Sequence, residues 1–405
     1  MTSDGSVEEK VTVKKFFVPS VALPHFAIVI SNTIVIILAV EIALTFLDSS
    51  SPAAIGIVGQ VSTINSVGEA VAAIAMTLLI VRFKEKSLLL TGILIIVVSS
   101  IGNFFAPTLV WIQVFYFLEG LGTVMIGVAG VTMLGNRLPQ NKKAKALGYV
   151  YAVVFLAFVI SPPLINLITG FAGWRYSYLL FVLPISAVFL LIAFLGIPSF
   201  QRGQQTEAAS TKTTYAKSFK QVLLNRSALT CLMGQLLFVG PTIGVFTTPF
   251  FATRFSADVA TRSYILMAAS SIYIVVFLFS GSLVNKFGAK PLAAIGALLH
   301  GVLLIGLFSA PNLWFSLVFH FSAALFSALA FLSLNCLTLD QVPESRGIMV
   351  STSRIFGKAG DAIVPAIGGL LLVLFSSYQV MAVVFAAMNF IASAFFLLTR
   401  DPNRT

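Results

Sequence analysis

Apolar residues along this chain come in long runs separated by short polar turns. Twelve such runs can be marked: 21–46, 52–81, 87–106, 109–135, 146–171, 175–198, 227–252, 262–284, 290–310, 313–339, 347–375 and 378–399. A helix of about 20 mostly apolar residues crosses the roughly 30 Å hydrocarbon core of a bilayer. The pattern therefore predicts an all-α integral membrane protein with twelve transmembrane helices. The longer runs tilt or project beyond the bilayer.

One polar stretch is much longer than the turns. Residues 199–226 are rich in Gln, Thr, Ser and Lys and have no apolar period, which is linker composition. They divide the chain into two six-helix halves, 21–198 and 227–399, between a tail at 1–20 and a short tail at 400–405. The first twenty residues are polar and of mixed charge, and read as a cytoplasmic tail rather than a signal peptide.

Composition agrees. Of 405 residues 58% are hydrophobic and 10% charged, with a mean hydropathy of +1.00. Soluble domains carry about 25% charged residues, so this exterior must face lipid. The net charge of +11 does not form a patch that would suggest nucleic acid. Lys10, Lys14, Lys15, Arg82, Lys84, Lys86, Arg137, Lys142, Lys143, Lys145, Arg202, Lys212, Lys217, Lys220, Arg226, Lys286, Lys290, Arg346, Arg400 and Arg404 all fall on one side of the expected membrane. Only Arg175, Arg254 and Arg262 fall on the other. Positive residues favour the cytoplasmic side, so a plasma-membrane protein with both termini cytoplasmic is expected. Cys231 and Cys336 sit in apolar runs without metal-ligand spacing. No phosphate-binding loop, nucleophile elbow or zinc signature occurs. The expectation is a protein that is not an enzyme and has no metal or cofactor, with a proton gradient as its energy source.

Gly281-Ser-Leu-Val-Asn285-Lys286-Phe-Gly288-Ala-Lys290 resembles the cytoplasmic signature of the major facilitator superfamily, G-x-L-x-D-R-x-G-R-K. After the second run, Thr77-Leu-Leu-Ile-Val81-Arg82-Phe-Lys84-Glu85-Lys86 keeps only the basic residues. Glu119-Gly120-Leu-Gly122, Asn136-Arg-Leu-Pro139 and Ala146-Leu-Gly148 resemble the family's span 4–5 region. Pro162-Pro163 with Gly170-Phe-Ala-Gly-Trp174-Arg175-Tyr176 is similar to its drug–proton antiporter and sugar-efflux branches. Pro343-Glu344-Ser-Arg346-Gly347 and Pro365-Ala-Ile-Gly368-Gly369 repeat the layout in the second half. The resemblance implies two halves rocking about a site bounded by spans 1, 4, 7 and 10, with contributions from 2 and 11. It also implies a gating motif at Gly281, Asn285, Lys286, Gly288, Lys290 and Arg82. The acidic residue and the span-4 Arg of the family's charge network are here Val81 and Tyr116.

Ionisable side chains inside spans are costly and mark function by default. Glu119, about 15 Å into span 4, is a proton-exchange candidate or a carboxyl paired between helices. Glu69 shares a helical face with Asn65 and is either a proton carrier or inter-helix glue. Arg354, Lys358 and Asp361 share one face of span 11; they form either a cationic site for an anionic group or an ion pair between halves. Glu41 is a further proton candidate near the outer surface. Asn32, Asn65, Tyr116 and Gln235 are candidates for touching substrate. Two functions lead: proton-coupled efflux of a small amphiphilic or drug-like molecule, and proton-linked uptake or exchange of an organic anion or sugar. A non-transporting receptor or lipid-binding protein is the third. The expected partners are a small-molecule substrate, protons and lipid, and a monomer is expected.

Overall fold

The protein is described by a computed structural model covering residues 16–138, 140–198, 219–342 and 346–400. The tail residues 1–15 and 401–405 and most of the linker lie outside the described residues, as do Pro139 and Pro343 to Ser345. The described residues are helical almost throughout. The spans are α1 (Phe17–Leu47), α2 (Pro52–Arg82), α3 (Glu85–Phe105), α4 (Leu109–Arg137), α5 (Gln140–Ala172) and α6 (Tyr178–Gly196, opening with a π turn). After the linker come α7, in two pieces (Arg226–Leu237 and Gly244–Phe255), then α8 (Val259–Phe287), α9 (Ala289–Ser309), α10 (Leu313–Asp340), α11 (Arg346–Phe375) and α12 (Tyr378–Leu398).

Eleven of the helices are long and apolar enough to cross a membrane without interruption, among the described residues. The seventh, expected as one run over 227–252, is broken instead. Pro241 lacks an N–H, and in an unbroken helix a proline at this position would crowd the carbonyl four residues back, at Leu237. The first piece ends at that residue, and a 3-10 turn at Gly240–Ile243 leads into the second. The first span also starts earlier than expected, at Phe17, and residues 219–224 of the expected linker are helical. Val222 there is fully buried against the core of the second half.

Side-chain caps fix several starts. Ser51 accepts from the Ala54 amide, Asn225 from Ala228, Asp258 from Thr261, Asn312 from Phe315 and Ser377 from Val380. Gly288, at φ +91°, turns the chain from α8 straight into α9 in a conformation closed to residues with a Cβ.

The short turns make successive helices antiparallel, so the bundle has two faces. The basic face carries Arg82, Lys84, Lys86 and Lys286. There, Lys86 donates to the Phe194 and Ile197 carbonyls, and Asn136 donates to Glu85. On the opposite, far face, Arg175 donates to the Phe104 and Ala106 carbonyls, and Trp174 donates to Thr45. Between halves, α2 packs along α11, α5 along α8, and α1 against the second piece of α7. Exchanging the halves maps the α2–α11 seam onto α8–α5, the relation expected of two repeated six-helix units.

Candidate functional site

The α2–α11 seam begins at the far face. Gly56 and Gly369 touch there so closely that a Cβ on Gly56 would lie 2.5 Å from the Gly369 carbonyl oxygen. The seam continues through Gln60, whose amide is 3.4 Å from the Ala366 carbonyl, to Ser66, whose hydroxyl is 3.3 Å from the Asp361 carbonyl. Pro365, four residues after Asp361, cannot supply the amide that would occupy that carbonyl in an ordinary helix. Ser66 thus meets an acceptor that the proline leaves open.

One turn further toward the basic face the seam ends in charge. The Lys358 ammonium lies 2.6 Å from the Glu69 carboxylate across the halves and 3.3 Å from the Asp361 carboxylate on its own helix. Glu69 is 5% exposed, whereas Lys358 and Asp361 are 46% and 39% exposed. Lys358 is 12 residues from one end of α11 and 17 from the other, about 18 and 26 Å at 1.5 Å per residue. Ser351, Arg354, Ile355 and Lys358 form an exposed stripe from the basic end of α11 to this depth, and Pro365, Gly368 and Gly369 beyond it are buried. The triad therefore sits where the exposed stripe on this face of α11 ends. With both carboxyls ionised, the triad carries one more negative charge than positive.

A second polar cluster lies within the first half. Glu119, 1% exposed, accepts from the Ser31 hydroxyl at 2.8 Å through one oxygen. The other oxygen is buried without a partner among the described residues. The Tyr116 hydroxyl bonds the Ser31 carbonyl at 2.8 Å and the Tyr178 hydroxyl at 2.9 Å, and Asn65 donates to the Tyr116 carbonyl at 2.9 Å. Tyr116 and Asn65 are buried among helices here. Glycines allow this packing: a Cβ on Gly120 would strike the Asn65 carbonyl, and one on Gly68 the Phe117 carbonyl.

Glu41 is paired. Arg262, 3% exposed, makes a two-pronged ion pair with the 23%-exposed Glu41 and donates to the Ile37 carbonyl at 2.5 Å. Arg262, expected on the side away from the basic turns, lies in the first turn of α8 and inside the joint between halves. Gln235 is also tied up, its carbonyl 2.5 Å from the Ser353 hydroxyl of α11. Asn32 is half-buried beside Ser31, and Arg354 is exposed one turn from Lys358. In the gating motif, Lys286 lies over the Phe287 ring, Lys290 is half-buried, and Arg82 is exposed at the end of α2. The surroundings of Gly281 and the side chain of Asn285 are outside those described.

Sequence reasoning missed Ser31, Ser66, Tyr178, Thr248 and Arg262. Their partners are far away in sequence, 221 residues for Arg262 and Glu41, and hydroxyls in apolar runs are common. The one available signal was Pro365, which announces an unclaimed carbonyl at Asp361.

Comparison with known proteins is consistent with this architecture. "Drug efflux pump JefA" of Mycobacterium tuberculosis is 27% identical over 143 residues, 35% of this chain and only 28% of that protein's length. "Multidrug resistance protein 2" of Bacillus subtilis is 24% identical over 309 residues, 72% of this chain and 73% of its own. The crystal structure of a D-xylose-proton symporter superposes with a TM-score of 0.81 at 14% identity, covering 96% of this chain and 98% of that one. That likeness concerns the fold. The family model of the Major Facilitator Superfamily matches residues 21–272 and 242–405. The match runs through both halves and the seam between them, and the chain belongs to the major facilitator superfamily.

Proposed function

We propose that the chain is a secondary transporter that works by alternating access and couples proton movement to the efflux of a small amphiphilic or drug-like molecule. The observation that carries this reading is the Glu69–Lys358–Asp361 triad. It joins the halves at the inner end of their seam, and two of its three side chains are partly exposed. A proton on Glu69 or Asp361 weakens the hold on Lys358 and so changes how strongly the halves are tied. A ligand that interacts differently with two states shifts their balance, and such coupling is reciprocal. Glu119, with one unpartnered oxygen beside Ser31, is a second place for a proton, within one half.

The charge count bears on the cargo. Lys358 already faces two carboxylates, so the triad repels an anion and attracts a proton or a cationic head group. Arg354, one turn away and exposed, is the feature favouring the second reading, exchange of an organic anion. The basic face is assigned to the cytoplasm by its Lys and Arg excess, in the plasma membrane, with the monomer as the working unit. The efflux names of the two relatives support the first reading.

The test is the purified full chain in liposomes under an imposed pH gradient, with a proton-sensitive dye inside. A lipophilic cation, a neutral sugar and a dicarboxylate are offered in turn. The cation should exchange for protons, and Glu69→Gln should uncouple the two fluxes. Flux of the dicarboxylate alone favours the second reading. No flux or proton movement with any of the three sinks the transporter assignment.

A further inference from the structure

α1 is bent at Leu38, where the backbone leaves the helical region (φ −105°, ψ 19°). In an unbroken helix the carbonyls of Ile36 and Ile37 accept from the amides of Val40 and Glu41. Both of those loops run through Leu38, where the helical geometry is interrupted. The two carbonyls involved are the ones that receive donors from the other half. The Thr248 hydroxyl, on the second piece of α7, bonds the Ile36 carbonyl, and the Arg262 guanidinium, on α8, bonds the Ile37 carbonyl at 2.5 Å. Arg262 also grips Glu41, the residue whose amide would otherwise serve Ile37. A buried carbonyl left without a donor is costly, so the bend and its cross-half donors stand or fall together.

We infer that Arg262 and Thr248 are positioning residues of the transport cycle: they hold α1 bent while the far face is closed, and α1 straightens when the halves part there. As the far ends separate, the Ile36 and Ile37 carbonyls lose their donors and recover the amides of Val40 and Glu41. Thr248 has a place for its proton meanwhile, since the Gly244 carbonyl of its own helix is 3.3 Å away. Arg262 is left with Glu41 or water. Opening thus replaces cross-half hydrogen bonds with bonds inside α1, and few buried groups go unpaired in either state. Arg262 acts through the helix and need not touch cargo. The inference rests on alternating access but not on the choice of substrate.

Two spin-label pairs in the purified full chain test it by distance measurement, with Cys231 and Cys336 replaced by Ser. Phe16→Cys with Leu44→Cys reports the length of α1, and Ser50→Cys with Arg254→Cys reports the far face. In the parent the far-face distance should be short, and the α1 distance should fall below the roughly 42 Å of a straight helix of that length. Arg262→Ala should shift the α1 distance to longer values and open the far face. Thr248→Val, which keeps the side-chain shape, should give a smaller shift of the same sign if Arg262→Ala proves too unstable to purify. Glu41→Gln keeps the donor to Ile37, so α1 should stay bent. An α1 distance unchanged in both donor variants overturns the inference, whatever the far-face pair does. So does a Glu41→Gln variant that lengthens α1 as much as Arg262→Ala, because the ion pair would then be what holds the bend. Alternating access is judged separately by the far-face pair: a single short distance in every variant counts against it.

Discussion

Removing one charge from the triad has different effects at its three corners. Lys358→Met strips the buried Glu69 of its counter-ion, and a buried charge left unpaired costs several kcal/mol in the limit. The half-exposed position of Lys358 lets water take up part of the loss, so a fall of about 1–3 kcal/mol is expected. Adding Glu69→Gln to Lys358→Met should recover most of it, and a thermal-unfolding cycle on the four proteins in detergent measures the coupling. Asp361→Asn should cost less than 1 kcal/mol in stability, as expected of exposed pairs, yet alter the pH profile of transport. At the far face, Asp258 lies outside the membrane. Its carboxyl is held below the ordinary range by the Thr261 hydroxyl and then by the Thr261 amide. A depressed pKa contributes stability that is present above the unfolded value and lost only as pH falls through the folded one. Asp258→Ala should therefore lower stability by about 1 kcal/mol, by the same amount at pH 5 as at pH 7.

At the scale of elements, glycine decides where helices can touch. Gly120→Ala forces a Cβ onto the Asn65 carbonyl, which is backbone and cannot swing aside. The α2–α4 joint should spread, and the yield of monodisperse protein should collapse. Gly127→Ala on the same helix meets nothing within 4 Å and should be tolerated, gaining up to about 1 kcal/mol from helix propensity. Comparing the two by size-exclusion profile and melting temperature separates contact from propensity. The helices themselves were legible in the sequence because a bilayer demands long apolar runs. The break in α7 was not read, although Gly240-Pro241 was visible, because hydropathy is blind to a missing N–H. The site was half legible. Glu69, Lys358 and Asp361 stand out as charges in greasy surroundings, but nothing in a linear pattern says that Lys358 reaches Glu69 or that Arg262 reaches back to α1. Tyr116, chosen for its polar tip, turned out to spend its hydroxyl inside the first half.

At the scale of the whole molecule, the halves are tied together toward the far face, by the Gly56–Gly369 contact and by Arg262 on α1, while one face of α11 toward the basic side is exposed. The cross-half joints include a glycine contact, hydrogen bonds to the helix carbonyls of Asp361, Ile36 and Ile37, two ion pairs and the apolar packing of α1 on α7 and of α5 on α8. The triad's odd charge has a consequence for energetics. An unprotonated triad is a net anion roughly midway through the bilayer, and a protonated one is neutral. Membrane voltage does about 2.3 kcal/mol of work per elementary charge for a full crossing at 100 mV. A carrier built this way would feel the potential mainly while its proton site is empty. Clamping the voltage at constant pH should then slow or speed the stroke in which the triad carries no proton and leave the protonated stroke nearly untouched.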